Sequence, residues 1–298
     1  MYPVPVTYLY QFENCPENAR PWVMHEFAVN GAKHLVLTDT ILGDILKRES
    51  LMDQIQKEMA NEGLTFLDAH AMFSADLDMN CINPKKRRMM IARHKTQLEI
   101  ISYMGVDSIT IHIGNNRADL GECPPQEVHF ALIVEALEEL LPVAEELGIT
   151  ICIENIWYPI NTPETLLQFK ERFPSDTLGF CYDAGHANIM AKGKNYEDSL
   201  GNLVWKTKLN MEPQWDDKIL EKMLPHVVTC HIHDNKGDTD SHRIPGWGNV
   251  DWQHITGLLK QAPRLKCIQS EVLPFYEPTS IKELCETFHK LFPETKGL

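Results

Sequence analysis

The chain reads as an α/β protein: a single (β/α)8 barrel, the TIM-barrel architecture, with an elaborated connection after strand 6. Three observations carry that reading. The length of 298 residues suits one large domain or two ordinary ones, and an α/β barrel takes roughly 250 residues as one domain. Short runs rich in β-branched and aromatic residues alternate eight times with longer stretches of helical character. Metal-competent side chains end the third to the eighth of those runs, where barrel enzymes carry their chemistry. Residues 1–298 are therefore expected to form one domain.

The strand-like runs are 7–11, 34–37, 64–69, 108–113, 149–154, 178–183, 227–233 and 267–272. A helix is expected over 41–61, before a glycine, and another over 85–104, ending at Gly105. The stretch 126–147 carries Leu132, Val134, Leu137, Leu140 and Leu141 at helical spacing and ends at Gly148. Residues 162–172 open with Thr162-Pro163-Glu164, and 279–291 open with Thr279-Ser280. The stretch 194–217 is longer and less regular, holds Trp205, Pro213 and Trp215, and reads as the elaborated connection.

Composition narrows the function classes. Hydrophobic residues make up 43% and charged residues 23%, which fits a globular chain with a sizeable core. No apolar run approaches the ~20 residues of a membrane span. The first residues, MYPVPVTYLYQFENC, lack a basic segment followed by a long apolar one, so no export signal is read there. A formal net charge of -14 argues against nucleic acid and anionic membranes as partners. None of the eight cysteines is paired in C-x-x-C spacing. Reduced thiols in a cytoplasmic protein are the expectation. Cys152, Cys181, Cys230 and Cys267 sit in apolar strand-like runs and read as small core residues.

The strand ends hold the polar residues. The third run ends Asp68-Ala69-His70, and the fourth His112-Ile113-Gly114. The fifth ends Glu154-Asn155, the sixth Asp183-Ala184-Gly185-His186, the seventh His231-Ile232-His233-Asp234 and the eighth Ser270-Glu271. Side chains on a strand alternate faces. If Glu154, Asp183, His231, His112 and Glu271 point into the barrel, so do Cys152, Cys181, Thr229, Thr110 and Gln269. The outer face then carries Ile151, Ile153, Phe180 and Tyr182. Buried carboxylates are costly unless paired or metal-bound. Glu154, Asp183, His231 and Glu271 on four neighbouring strands are thus the candidate metal ligands. Carboxylates with imidazole suit Zn²⁺ or Mn²⁺, with Co²⁺, Fe²⁺ or Mg²⁺ as further options.

The segment after the seventh strand, from Asp240 through His242, Pro245, Gly246, Trp247 and Gly248 to Trp252, forms a tight turn; Asp240 and His242 are candidates for the site or a second metal. Lys85-Lys86-Arg87-Arg88 reads first as a solvated charge cluster and second as a phosphate-binding helix start. Trp157, Tyr158 and Trp247 either wall a substrate pocket or pack structurally.

The segments ICIENIW, LGFCYDAGHANI, CHIHDN, the Asp-x-His-x-x-Pro-Gly-x-Gly-x-x-Asp-Trp loop and the final SEV resemble the xylose isomerase-like barrel superfamily. That superfamily includes sugar and sugar-phosphate isomerases and epimerases, and endonuclease IV. The resemblance implies a divalent metal on Glu154, Asp183, His231 and Glu271, with Glu154 and Glu271 also moving protons. It gives His186 and His112 contacts to substrate oxygens, and it implies a homo-oligomer. The endonuclease IV pattern implies a larger set, matched by His70, His112, Glu154, Asp183, His186, His231, Asp240, His242 and Glu271. The leading expectation is a metal-dependent isomerase or epimerase of a sugar or sugar phosphate that forms an enediolate by proton abstraction. A zinc phosphodiesterase of the endonuclease IV type is the second. A non-catalytic sugar-binding barrel is the third, disfavoured by the intact acidic ring.

Overall fold

Eight parallel strands close on themselves in chain order: β1 (Val6–Tyr8), β2 (His34–Leu37), β3 (Thr65–His70), β4 (Ser108–Thr110), β5 (Thr150–Glu154), β6 (Leu178–Asp183), β7 (Val227–Ile232) and β8 (Ile268–Ser270). The computed structural model describes residues 2–116, 123–194, 196–273 and 278–298. The barrel shuts where β1 pairs with β8, Thr7 opposite Gln269. The ladders are shorter than the expected runs on β1, β4, β7 and β8. Past the β4 and β8 ladders the backbone keeps single contacts, Ile111 N–H to Cys152 O and Glu271 N–H to Ile232 O. His112, His233 and Glu271 stand just past the ends of β4, β7 and β8.

The expected parity holds. Ile151, Ile153, Phe180 and Tyr182 lie in the main apolar core between sheet and helices. Cys152 and Cys181 form a separate small cluster with Val228 inside the barrel. Val228 is out of phase with Thr229 and His231, and it joins the interior because the β6–β7 register shifts between Phe180 and Cys181. None of the eight cysteines is in a disulfide.

The helices wrap the outside: α1 (Arg20–Val29), α2 (Asp39–Lys47), α3 (Leu51–Asn61), α4 (Pro84–Tyr103), α5 (Gln126–Glu146) and α6 (Pro163–Arg172). Further along come α7 (Ala184–Ile189), α8 (Leu200–Asn202), α9 (Ile219–Met223), α10 (Trp252–Leu259) and α11 (Ile281–Leu291). Side-chain caps set several starts. Asn83 accepts from Lys85 N–H and Lys86 N–H, Thr162 from Thr165 N–H, and Ser280 from Glu283 N–H. The single helix expected over 41–61 is instead two, broken at Arg48. The apolar stripe Ile41, Leu42 and Ile45 is out of phase with Leu51, Ile55 and Met59 by roughly a quarter-turn at 3.6 residues per turn. The chain leaves the helix at Arg48, whose backbone is extended (φ -146, ψ 90), and starts again at Leu51. The connection after β6 is elaborated as expected, with α7, α8 and a π-helical stretch Leu203–Lys208; Asn195 lies outside the described residues. Among the described residues no helix is long and apolar enough to cross a membrane.

One buried contact ties α4 to the loop after β3. His94 Nε2 lies 2.7 Å from Leu77 O, and because a carbonyl only accepts, Nε2 carries the proton. Gln97 fixes the other side. Its Oε1 accepts from Met72 N–H at 2.8 Å, so its amide NH₂ faces His94 Nδ1 at 3.2 Å. His94 is therefore held neutral, and burial pushes its pKa from 6.5 down to about 4. Between those values the unfolded chain binds the proton and the folded one does not, so stability falls as pH drops from 6.5 to about 4. A shift of that size corresponds to about 3 kcal/mol. Denaturant melts of wild type and His94→Gln across this window should converge by that amount as pH falls; a pH-independent difference contradicts the assignment.

Candidate metal centre

Three buried carboxylates converge on one imidazole nitrogen at the C-terminal mouth of the barrel. His231 Nδ1 lies 2.9 Å from Glu154 Oε1, 3.2 Å from Glu271 Oε2 and 3.7 Å from Asp183 Oδ2. The other ring nitrogen, Nε2, faces Thr110 Oγ1 of β4 at 3.5 Å. Each of the four residues offers a donor atom within 4.8 Å of the other three. Glu154 and Asp183 end β5 and β6, His231 stands one residue before the end of β7, and Glu271 follows β8. Strand closure is what brings them together.

The frame around Asp183 is tightly bonded. The Asn155 amide brackets the end of β6, donating to Asp183 O and accepting from Asp183 N–H, both at 2.9 Å. Asp183 Oδ1 caps α7 by accepting from His186 N–H at 2.6 Å, and Oδ2 meets His233 Nε2 at 3.1 Å. The glycine between Asp183 and His186 is required by packing. A Cβ on Gly185 would stand 2.0 Å from His233 Cε1.

Three histidines present themselves alike. Nδ1 of His70, His186 and His242 faces a backbone oxygen, Ala71 O at 2.9 Å, Asn155 O at 2.9 Å and Glu271 O at 2.8 Å respectively. Each Nδ1 therefore carries hydrogen, which leaves Nε2 for the cavity. His186 Nε2 and His242 Nε2 both face Asp240 Oδ2, at 3.5 and 3.1 Å. With His233 they form a second group of donor atoms within 4.8 Å; His70, Glu154 and His231 form a third. His112 Nε2 lies 3.2 Å from Glu154 Oε2.

Asp234, next to these histidines, has a different task. Its carboxylate accepts from Gly246 N–H, Val250 N–H and Trp252 Nε1–H, and its backbone pairs with Arg243. It thereby folds the loop that delivers Asp240 and His242. Gly248 passes so close that a Cβ would sit 2.0 Å from Asn235 O. The glycines and tryptophan after the seventh strand thus serve this turn.

The charges are interdependent. Burial pushes the Glu154 pKa up, but His231, His112 and His186 beside it hold the carboxyl well below the usual range. Glu271 is likewise depressed by His231 and His242 against the effect of burial. Burial works against the His231 imidazolium, yet Glu271 and Glu154 keep its pKa well above 6.5. His242 behaves the same way through Asp240 and reaches about 9. His70 is the opposite case: burial, then the neighbouring His112, brings it down to about 4, so it is neutral at pH 7. The donor set fits a divalent cation: Asp240 Oδ1 and His233 Nδ1 are buried without a hydrogen-bond partner, and Glu154 Oε2 has only His112 Nε2 beside it.

Above the ring opens a cavity of about 420 Å³, within the ~300–1,000 Å³ of small-molecule sites. Six carboxylates line it, Glu13, Asp39, Asp78, Glu154, Asp240 and Glu271, and no described lysine or arginine does. His70, His112, His186, His242 and Trp157 also line it. Trp247 does not; Lys236 and Arg243 lie over its ring at 4.5 and 4.6 Å, which makes it part of the loop's own packing. Nor does the Lys85–Arg88 cluster serve the cavity. Lys86 pairs with Asp76 at 2.6 Å, and Arg87 is buried, donating to Met79 O and Leu132 O. His233 was not among the expected site residues, although its spacing of two from His231 places both on one face. Asn155 and the Phe73 wall left no signal in spacing or charge.

The family model described as xylose isomerase-like TIM barrel matches residues 33–268. An uncharacterized protein of Methanocaldococcus jannaschii, MJ1311, is 24% identical over 76% of this chain and 70% of its own. Another, y4fM of Sinorhizobium fredii, is 22% identical over 54% of this chain, which spans about half (46%) of that relative's length. Among solved structures, the IOLI protein with a bound zinc atom has a TM-score of 0.70 at 17% identity, covering 98% of both chains. D-psicose 3-epimerase with D-tagatose from Clostridium cellulolyticum H10 has 0.69 at 12%, covering 98% of this chain and 99% of that one. AP endonuclease, family 2, from Brucella melitensis has 0.68 at 13%, covering 96% and 98%. At these identities the likeness shows the fold.

Zinc or manganese titrated into chelator-treated protein should bind and raise the melting temperature. Asp183→Asn should weaken that binding by at least about 100-fold. Binding should also weaken between about pH 7 and pH 5, because a ligand imidazole must lose its proton. Cation binding indifferent to both changes contradicts the assigned ring.

Proposed function

Because the chain belongs to the xylose isomerase-like TIM barrel family, we propose that it is a metal-dependent isomerase or epimerase of an unphosphorylated sugar. The observation that carries this reading is the convergence of Glu154, Asp183 and Glu271 on His231 Nδ1 at the floor of an acidic cavity. The absence of lysine and arginine among the described lining residues favours a neutral sugar over a sugar phosphate.

Glu154, Asp183, His231 and Glu271 hold the cation, zinc or manganese by donor type. A divalent cation there supplies Lewis-acid polarisation of substrate oxygens. Glu154 and Glu271 are the proton-transferring pair, one taking a proton from the carbon beside the carbonyl and the other returning it. His112 and His186 bind hydroxyl oxygens, and Trp157 walls the sugar on one side. Asn155 and Thr110 are positioning residues, acting through Asp183 and His231. Leu9, Leu273 and Phe73 add apolar surface to the cavity wall.

In D₂O, the metal-loaded protein should incorporate solvent deuterium into a ketose product next to its carbonyl. Glu271→Gln should cost about 10²–10⁴-fold in kcat while metal content, assayed alongside, separates lost acid–base function from lost cation. Turnover without deuterium incorporation sinks the proton-transfer mechanism.

A second reading, a multinuclear phosphodiesterase of the endonuclease IV type, is favoured by one observation. His186, His233, Asp240 and His242 make a second donor group beside the first. The net charge of -14 and the acidic cavity speak against a nucleic-acid substrate. Elemental analysis decides: about one cation per chain supports the sugar enzyme, whereas about three with cleavage of an abasic-site duplex supports the phosphodiesterase.

A further inference from the structure

A second cavity, of about 210 Å³, lies behind the first, between the loop after β5 and the elaborated connection after β6. Ile156, Trp157, Tyr158 and His186 line both cavities, so the two adjoin across those residues. A volume below the ~300 Å³ lower end of small-molecule sites marks it as an extension of a larger site.

Its walls have a definite chemistry. Trp157, Trp205 and Trp215 supply apolar faces. Trp205 is fixed, donating its Nε1–H to Trp157 O at 2.8 Å. Trp215 is seated closely on Gly201, where a Cβ would stand 2.9 Å from the indole. The charged groups are paired: Lys222 is shared between Asp216, at 2.6 Å, and Glu164, and Lys192 reaches Asp217 at 3.6 Å. Asp216 Oδ1 also accepts from Lys218 N–H. What remains unmatched is neutral. Both amide atoms of Asn161, which is 1% exposed, have no hydrogen-bond partner, and neither does Trp157 Nε1. Buried amides are rarely left so. An amide offers an acceptor and two donors, which matches hydroxyl groups that both give and accept. Indole faces with a neutral amide edge, and lysines already paired with carboxylates, describe a site for an uncharged, polyhydroxylated ring.

We propose that this cavity is a subsite for a second sugar ring, so that the substrate is a glycoside or disaccharide whose reacting unit lies over the His231 ring and whose other unit contacts Asn161. The connection after β6, which the barrel itself does not need, then builds the far wall of the subsite. The inference rests on the sugar reading above, but its test reads binding and not turnover.

Calorimetry on the full chain with manganese would use D-fructose, lactulose, isomaltulose and methyl β-D-glucopyranoside as probes. At least one disaccharide should bind about tenfold more tightly than fructose. Asn161→Leu, which keeps the volume and removes the amide, should abolish that advantage. Trp215→Ala, from the opposite wall, should do the same and covers the case in which Asn161→Leu fails to fold. The proposal is overturned if no disaccharide or glucoside binds more tightly than fructose, or if the advantage survives both substitutions. Asn161-dependent disaccharide binding without deuterium exchange in any ketose would keep the subsite and overturn the isomerase; exchange without a disaccharide preference would do the reverse.

Discussion

Glu154, Asp183 and Glu271 are all buried and all aimed at one nitrogen of His231. Three carboxylates cannot be satisfied by a single imidazole proton, and unpaired charge away from water is expensive. Much of the surrounding structure makes sense as accommodation of that charge. The Asn155 amide locks the end of β6, Thr110 faces the far nitrogen of His231, and Gly185 leaves room for the His233 ring beside Asp183. A divalent cation among the three carboxylates would offset their charge together with the surrounding imidazoles.

The barrel supplies the means. Parallel closure puts the C-terminal ends of β5 to β8 side by side, so residues scattered over more than a hundred positions meet within 4.8 Å. The inward positions beneath the ring are small or polar, including Cys152, Cys181 and Thr229, while the helix-facing positions are large and apolar. The acidic surplus in the composition is partly this arrangement. A cation held there would offset it locally, which weakens net charge as an argument about substrate and leaves the cavity lining as the better one.

Much of this was legible in the residues. Period-two alternation placed Glu154, Asp183, His231 and Glu271 on the inner face, because one register satisfied several strands at once. The ring itself needed no structure to be named. Other features depended on three dimensions. The break between α2 and α3 comes at the extended backbone of Arg48, which the apolar spacing of 41–61 does not announce. Trp247 looked like a pocket wall, but Lys236 and Arg243 occupy its ring. The basic run at 85–88 proved to be pairing and carbonyl capping, since Arg87 turns inward. Asn161 carried no pattern at all; only its isolation in a cavity marks it.

Anomalous diffraction from a crystal soaked in zinc tests the central claim most directly. The predicted result is a zinc peak bounded by Glu154, Asp183 and Glu271 oxygens, with His231 Nδ1 about 2.0–2.1 Å away. A structure in which zinc binds elsewhere, or not at all, while His231 Nδ1 keeps its direct contacts to the three carboxylates would contradict it.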